Sequence, residues 1–225
     1  MDTTISTIKT IKARHCVRAF LDKPVAPDLI NTMLEAARFA PSGVNTQPWK
    51  VAVVTGQTQQ AITDAILAHR QQSQTSNPDY HYYPDNWFEP YTSRRKACGL
   101  ALYGALHISK EDIEKRLVAW NNNYRFFGAP VALFFFVEAK LEKGSWLDMG
   151  MFIQNTMLAA LDLGLATCPQ AALAEYPDVI REHLKISADY QLICGMAVGY
   201  ADLTAPINQY RTEREPVEHF TSWYD

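Results

Sequence analysis

Cysteine is scarce in this sequence, and its placement excludes two kinds of site. The four cysteines, Cys16, Cys98, Cys168 and Cys194, are scattered along 225 residues without a CxxC pair, and no histidine lies at metal-ligand spacing from them. This pattern excludes a disulfide framework and a zinc-finger type of site. It predicts reduced thiols and a cytoplasmic protein.

Long apolar runs and an excess of basic charge are also missing. The longest apolar run, APVALFFFVEA at residues 129–139, is too short to span a bilayer. The N-terminal stretch MDTTISTIKTIKARH has no apolar core before a cleavage site, so we predict no signal peptide. A net charge of −3 argues against a broad nucleic-acid-binding face. We therefore expect neither membrane nor nucleic acid as a partner, and any anion site must be built from a few arginines.

Signatures of side-chain catalysis are absent as well. The sequence contains no GxSxG, HExxH, GxGxxG or P-loop motif, and its six histidines form no metal-ligand pair. The carboxylates of Glu111 and Asp112 fall on a predicted exposed helical turn. We therefore predict no catalytic side chain and no metal site. Either a cofactor carries a reaction, or the protein catalyses none.

What the chain does have is a substantial apolar content, 48% of its residues, arranged with clear periodicities. The continuous apolar run VALFFFVEA predicts a strand buried on both faces of a central sheet. The segment at residues 145–165 is apolar nearly all round and predicts a buried central helix that ends near Gly164. Helices and strands alternate loosely, which indicates an α+β or α/β protein. Further strands are predicted at 49–56 and 190–200, and further helices near 5–12 and at 27–40, 57–72, 93–108, 110–124 and 176–186.

The stretch RFAPSGVNTQPWKVAVVTG, residues 38–56, contains more turn residues than a simple connection requires. Its Asn45, Thr46 and Gln47 are able to hydrogen-bond a planar polar ring. The stretch is either an ordinary loop or a loop shaped around a ligand. The segment GLATCPQAAL at 164–173 poses the same choice, because its small residues either allow a flat ligand to approach the backbone or form a helix-to-strand turn.

Arginines recur in two short stretches. In ARHCVRAF, residues 13–20, an extended backbone would place Arg14, Cys16 and Arg18 on one side, where two guanidinium groups suit a phosphate. The alternative is a solvated basic turn at the end of a helix. The C-terminal stretch NQYRTEREP adds Arg211 and Arg214, which either complete a phosphate pocket or belong to an ordinary charged tail.

Aromatic residues are concentrated in the segment at about 70–91, which includes NPDYHYYPDNWFEPY and lacks a clean period. It is either an irregular surface loop or a lid over a flat apolar site. Residues 201–225 are polar, lack a period and are interrupted by two prolines, but they end on aromatic side chains. This tail is either frayed or docked along a partner.

In combination, four stretches resemble the FMN-dependent nitroreductase family: RHCVRAF, FAPSGVNTQPWKVAVV, LDMGMFIQNTMLAALDLGLATCPQAA and GYADLTAPINQYRTEREPVEHF. The resemblance covers nearly the whole chain. The aromatic stretch YPDNWFEPYTSRRKACGLALY is similar to the branch that reduces nitrobenzoate and other nitroaromatics. Position 16 differs, because Cys16 stands where many members have a phosphate-binding serine and a thiol is a weaker donor.

The resemblance implies one α+β domain over residues 1–225 with a mixed central sheet flanked by helices. It also implies an intertwined homodimer in which C-terminal arms at about 201–225 embrace the partner, with two FMN sites at the interface. Its implied FMN-binding residues are Arg14, His15, Cys16, Arg18, Pro41, Ser42, Gly43, Asn45, Gln47, Asp148, Pro169, Gln170, Ala171, Arg211 and Arg214. The candidate substrate-pocket walls are Tyr82, Tyr83, Trp87, Phe88 and Phe126.

The activity implied by the resemblance is a ping-pong reaction on FMN. NADH or NADPH would deliver hydride to the flavin N5, and a nitroaromatic or quinone-like acceptor would then be reduced at the same place. Such a reaction needs no catalytic side chain, in agreement with the missing motifs. The alternatives are reductive dehalogenation, oxygen-dependent flavin chemistry, or a flavin-storage protein without substantial turnover.

Overall fold

A computed structural model of the protein describes residues 6–72 and 76–225. Its helices and strands confirm the predicted α+β class. None of the helices in these two ranges is both long and apolar enough to cross a membrane. The helices are α1 (Thr7–Ala13), α2 (Pro27–Ala37), α3 (Gly56–Gln71), α4 (Tyr91–Ala105), α5 (Ile113–Asn121), α6 (Lys143–Asp162) and α7 (Pro177–Leu184), and the strands are β1 (Trp49–Thr55), β2 (Val131–Glu138), β3 (Ala166–Gln170) and β4 (Tyr190–Gly199).

The four strands form one sheet in the order β1-β2-β4-β3. All three described pairings are antiparallel, whereas we expected a mixed sheet. The physical reason is that the strands which run in the same direction are not neighbours: β2 and β3 are joined by a crossover through α6, and β4 lies between them. The hydrogen-bonded neighbours run in opposite directions. The end of β1 at Thr55 lies beside the start of β2 at Val131, and the end of β2 at Glu138 lies beside the start of β4 at Tyr190.

Strand β2 is buried on both faces, as its apolar run predicts. Because side chains alternate along a strand, Leu133 and Phe135 pack with α2 and α6 on one face. Phe134 and Phe136 pack with α3 and α7 on the other face. The sheet therefore separates two hydrophobic cores.

Helix α6 is where the sequence predicts a helix, and the chain leaves it through Gly164 at a φ of 73°. Its burial is only partly as expected. Met149 and Phe152 are buried in the first core, but Leu147 and Met151 on another face are exposed. The helix is apolar nearly all round, but its own chain covers only one of its faces.

Gly195 in β4 allows the Leu173 side chain to pack directly against the strand backbone. A larger residue at this position is therefore expected to destabilise the protein. A Cβ there would lie 2.2 Å from Leu173 Cδ1 and 3.3 Å from Leu173 Cβ. We expect Gly195→Ala to lower the free energy of unfolding by about 1–3 kcal/mol through overpacking, measured by urea denaturation. Gly144→Ala in α6 is the matched control, because a Cβ there meets nothing within 4 Å. Equal stability of the two variants would contradict the prediction.

Candidate functional site

The basic segment after α1 lies alongside β3. Helix α1 ends at Ala13, and the backbone of Arg14 is extended. The Val17 N–H donates to the Thr167 carbonyl over 3.1 Å, which fixes the segment against β3. Arg18 and Cys16 are half-buried here, so the segment is not a freely solvated basic turn.

Arg18 is held by two residues from the far end of the chain. Its Nη1 donates to the Tyr210 hydroxyl over 2.9 Å, and its backbone N–H donates to Asn208 Oδ1 over 2.8 Å. The Asn208 side chain also donates to the Ala19 carbonyl over 2.8 Å. Our sequence analysis missed Asn208 and Tyr210, although both belong to the stretch that contains Arg211. The sequence signal that could have identified these two residues is that both are polar and lie next to that arginine in the chain.

The two arginines make this segment electropositive. The pKa of the Cys16 thiol is below its ordinary value because Cys168 hydrogen-bonds to it and because Arg18 and Arg14 stabilise the thiolate, while burial opposes the shift. A field that favours a thiolate also favours a bound anion such as phosphate. Arg14, Cys16 and Arg18, which the sequence placed on one side, are therefore brought together.

The loop at residues 42–47 has an unusual backbone. Three residues that are not glycine, Val44, Asn45 and Gln47, have φ values of 45°, 60° and 49°. Left-handed conformations of this kind are costly for residues with a side chain and cluster at ligand-binding sites. The Gln47 N–H donates to Ser42 Oγ over 3.0 Å, which closes the loop on itself. The side chains of Asn45 and Gln47 remain exposed.

Asp148 ties this loop to α6. The Gly43 N–H donates to Asp148 Oδ2 over 3.2 Å, and the carboxylate is buried. The predicted residues Ser42, Gly43 and Asp148 thus form a second group, with Pro41 beside them in the chain. A buried carboxylate that accepts a loop N–H holds the loop in its strained form.

The predicted residues Pro169, Gln170 and Ala171 lie where β3 ends. The Gln170 side chain is buried, and its Nε2 donates to the Asn123 carbonyl over 2.6 Å. Its Oε1 has no hydrogen-bond partner among residues 6–72 and 76–225. A buried acceptor without a donor is costly, so this end of β3 is suited to receiving a donor from a ligand.

His15 lies in a different environment from its neighbours. It lines a cavity of about 330 Å³ together with Leu165 and Tyr200, and its Nδ1 lies 3.1 Å from the Ala13 carbonyl. Arg14 borders the same cavity. The cavity walls are mostly apolar.

Arg211 and Arg214 are not brought to Arg14 and Arg18 by contacts within the described part of this chain. Arg211 Nη1 donates to the carbonyls of Asn208 and Tyr210, each over 2.9 Å. Arg214 is exposed and donates to Thr212 and Glu213 in its own turn. The four-arginine pocket considered from the sequence stays a prediction.

The aromatic segment is a chain of ring contacts anchored at one end. The Tyr80 hydroxyl donates to the Ile193 carbonyl over 2.5 Å, and its ring meets the edge of Trp146. The rings of Tyr82 and Tyr83 lie 4.6 Å apart, and Tyr83 lies 5.4 Å from Trp87. These rings are largely exposed along one side. The segment therefore packs on the body, as expected for a surface loop, and its role as a lid stays a prediction. Residues 73–75 of the predicted insert lie outside the described residues.

Of the five predicted pocket walls, Phe126 is wrong and Phe88 stays a prediction. Phe126 is fully buried in the second core, edge-on to Phe134, so it cannot line a substrate pocket. Phe126 precedes the apolar strand β2 and is buried in the same cluster as residues of that strand. Residue type alone did not reveal this position. Phe88 is exposed but contacts Tyr91 of α4, outside the Tyr80–Trp87 ring chain.

Comparison with known proteins assigns the chain. A model of the nitroreductase family matches residues 11–200. A 4-nitrobenzoate reductase of Pseudomonas putida is 39% identical over 94% of this chain and 92% of its own length. A nitrobenzene nitroreductase of Ectopseudomonas oleovorans is 37% identical over 95% of this chain and 94% of its own.

Solved structures agree. The FMN- and NADPH-dependent nitroreductase NfnB of Sphigopyxis sp. strain HMH superposes with a TM-score of 0.96 at 38% identity, covering 98% of this chain and 100% of that one. NfnB of Mycobacterium smegmatis, solved with NADPH, superposes with a TM-score of 0.92 at 32% identity and covers 97% of each chain. The sequence match and the shared fold extend over almost the same residues. This chain is therefore a member of the nitroreductase family.

Proposed function

We propose that the protein is an FMN-dependent oxidoreductase that uses NADH or NADPH to reduce nitroaromatic or quinone-like acceptors. The observation that carries the proposal is the electropositive cluster of Arg14, Cys16 and Arg18 beside β3, in a chain whose relatives are named as nitroaromatic reductases. Neither the sequence nor the site offers an alternative catalyst. A flavin accounts for both facts.

The residues present suit FMN. Arg14 and Arg18 are positioned to hold the phosphate by charge-assisted hydrogen bonds. The polar side chains of Asn45 and Gln47 on the strained loop suit the polar edge of the flavin ring and the ribityl chain. The unpartnered acceptor on Gln170 is available to a ligand donor. When bound, FMN supplies hydride acceptance and donation at its N5, in a ping-pong sequence with one overlapping site.

The protein itself has three tasks in this proposal. Its arginines would offset the phosphate charge, its 42–47 loop would orient the cofactor, and the Tyr82, Tyr83 and Trp87 rings would line the acceptor site. None of these tasks requires a proton donor of tuned pKa. The proposed acceptor is a small aromatic molecule, because an aromatic wall binds flat rings well.

We also propose that the protein is a homodimer with exchanged C-terminal arms, which would bring the loop group and the arginine group together. Apolar side chains exposed on one protomer support this, among them Leu147 of α6 and Val44 of the loop. In the tail, Trp223 and Tyr224 are 94% and 91% exposed. The four free cysteines support the cytoplasm as the location.

The dimer predicts a mass in solution of twice the 25.5 kDa of one chain. Light scattering after gel filtration measures it directly. Removal of residues 217–225 is expected to weaken the dimer, because the exposed Val217, Phe220, Trp223 and Tyr224 would lose their burial against the partner. A full-length chain that is monomeric at micromolar concentration would contradict the proposed dimer.

The cofactor and both half-reactions are tested in one experiment. The visible spectrum of the purified protein is expected to contain flavin bands that bleach when NADPH or NADH is added without oxygen. A nitroaromatic is then expected to restore them. Bands that bleach but do not return with any acceptor would favour a storage protein. A colourless protein that fails to take up FMN would refute the proposal.

A further inference from the structure

Arg95 lies where the aromatic segment meets α4. The segment is fixed to the body near its start, since the Tyr80 hydroxyl donates to the Ile193 carbonyl. Further along, the Tyr83 ring lies 5.4 Å from the Trp87 ring. The guanidinium carbon of Arg95 lies 5.0 Å from the centroid of the Trp87 ring. Arg95 therefore adds a positive charge to the chain of ring contacts at its Trp87 end.

The guanidinium group of Arg95 has unused hydrogen-bonding capacity. It carries five N–H donors, and none of them has a hydrogen-bond or ion-pair partner among residues 6–72 and 76–225. Arg94 beside it differs, because its Nη2 pairs with the Glu215 carboxylate over 2.8 Å. The contact with the Trp87 ring holds Arg95 in place without consuming a donor. Arg95 is thus an exposed cation whose donors are available to a ligand.

The surroundings of Arg95 indicate which ligand it suits. The Tyr82 and Tyr83 rings of the same segment are 56% and 58% exposed, so an aromatic molecule can pack against them. The planar guanidinium fork matches a carboxylate, which accepts two parallel N–H bonds. In a protein of net charge −3, a local cation of this kind favours the approach of an anion. The complementary ligand is therefore an aromatic ring that carries a carboxylate.

We propose that Arg95 is a specificity-determining residue that binds a carboxylate on the electron acceptor, so that the acceptors of this protein are carboxylated nitroaromatics. The inference rests on the proposed function, because it assigns the acceptor of that same reaction. Arg95 takes no part in electron transfer. It distinguishes an anionic ring from a neutral ring of the same size by the hydrogen bonds that only the carboxylate accepts.

The test compares two acceptors, 4-nitrobenzoate and nitrobenzene, with the FMN-loaded full-length protein. The kcat/KM of each is measured from NADPH oxidation without oxygen. The ratio of the two values is expected to fall roughly 10- to 100-fold in Arg95→Ala, because hydrogen bonds to a charged group are lost. Nitrobenzene reports any loss of packing against the rings. Comparing the ratio between variants cancels the intrinsic reactivities of the two nitro groups.

Two further variants sharpen the test. Arg95→Lys keeps the charge but loses the planar fork, so its ratio is expected to lie between those of the parent and Arg95→Ala. Arg116→Ala is the matched control, because the Arg116 guanidinium carbon also lies over a ring, 4.0 Å from the Tyr103 centroid, but outside the aromatic segment. This variant is expected to keep the ratio of the parent.

The outcomes separate the inference from the proposed function. If the parent reduces both acceptors and Arg95→Ala has the same ratio, the carboxylate site is refuted while the proposed function stands. If the FMN-loaded parent reduces neither acceptor, the proposed function is refuted and the inference falls with it. If Arg95→Ala changes only the preference for NADPH over NADH, the free guanidinium binds the 2′-phosphate of the nucleotide, and its assignment to the acceptor is overturned.

Discussion

Replacing Arg14 and Arg18 together with alanine is expected to strip FMN from the purified protein. A hydrogen bond to a charged group contributes about 1.5–3 kcal/mol, so two such losses weaken FMN binding by roughly 10²- to 10⁴-fold. The measurement is a titration of the cofactor-free protein with FMN, followed by quenching of flavin fluorescence. Each single variant is expected to show an intermediate loss, and Arg18→Ala also removes the contact with Tyr210.

Riboflavin and a distant arginine provide the controls for this prediction. Riboflavin lacks the phosphate, so its affinity is expected to change little in the double variant if both arginines act on that group. Arg38→Ala removes the same charge from an exposed ion pair with Glu35 and is expected to retain FMN. Equal losses of riboflavin and FMN affinity would indicate a damaged fold, and unchanged FMN affinity would place the phosphate elsewhere.

Arg181→Met is expected to lower the free energy of unfolding more than any other single substitution proposed for this protein. Arg181 Nη1 donates to both carboxylate oxygens of Asp79, over 3.0 and 2.8 Å, and to the Tyr190 carbonyl over 3.0 Å. The side chains of this pair are 10% and 15% exposed. Removal of the arginine leaves the largely buried Asp79 carboxylate, at the start of the aromatic segment, without its cation. This loss is expected to lower the free energy of unfolding by about 3–5 kcal/mol.

A double-mutant cycle separates this effect from lost packing. Asp79→Asn combined with Arg181→Met removes the stranded charge while an amide oxygen stays available to the Leu192 N–H, which now donates to Asp79 over 2.9 Å. We expect the double variant to recover part of the stability in urea denaturation. Arg38→Ala is the matched control, since its pair with Glu35 is even shorter, at 2.6 Å, but more than half exposed. Solvent screens such an exposed pair, so equal losses for Arg38→Ala and Arg181→Met would contradict the argument.

Most of the secondary structure follows from short-range patterns. The run that became β2 is recognisable because a strand buried on both faces is continuously apolar, and α6 is recognisable by its length and its terminal Gly164. Strand β3 was not predicted. Its sequence, ATCPQ, has neither alternation nor an apolar run, and it is a strand because it pairs with β4.

The candidate site also divides into features that local sequence predicts and features that only tertiary contacts set. Sequence alone predicted that Arg14 and Arg18 share one side if the backbone is extended and that the 42–47 loop is unusual, because two-residue alternation and turn chemistry are local properties. It did not determine that Tyr210 and Cys168 would lie against this segment, or that Phe126 would turn into the core. Those outcomes depend on which distant elements pack together. Only the tertiary structure decided them, since such contacts arise from closure of the whole chain around the sheet and leave no periodic trace in the sequence.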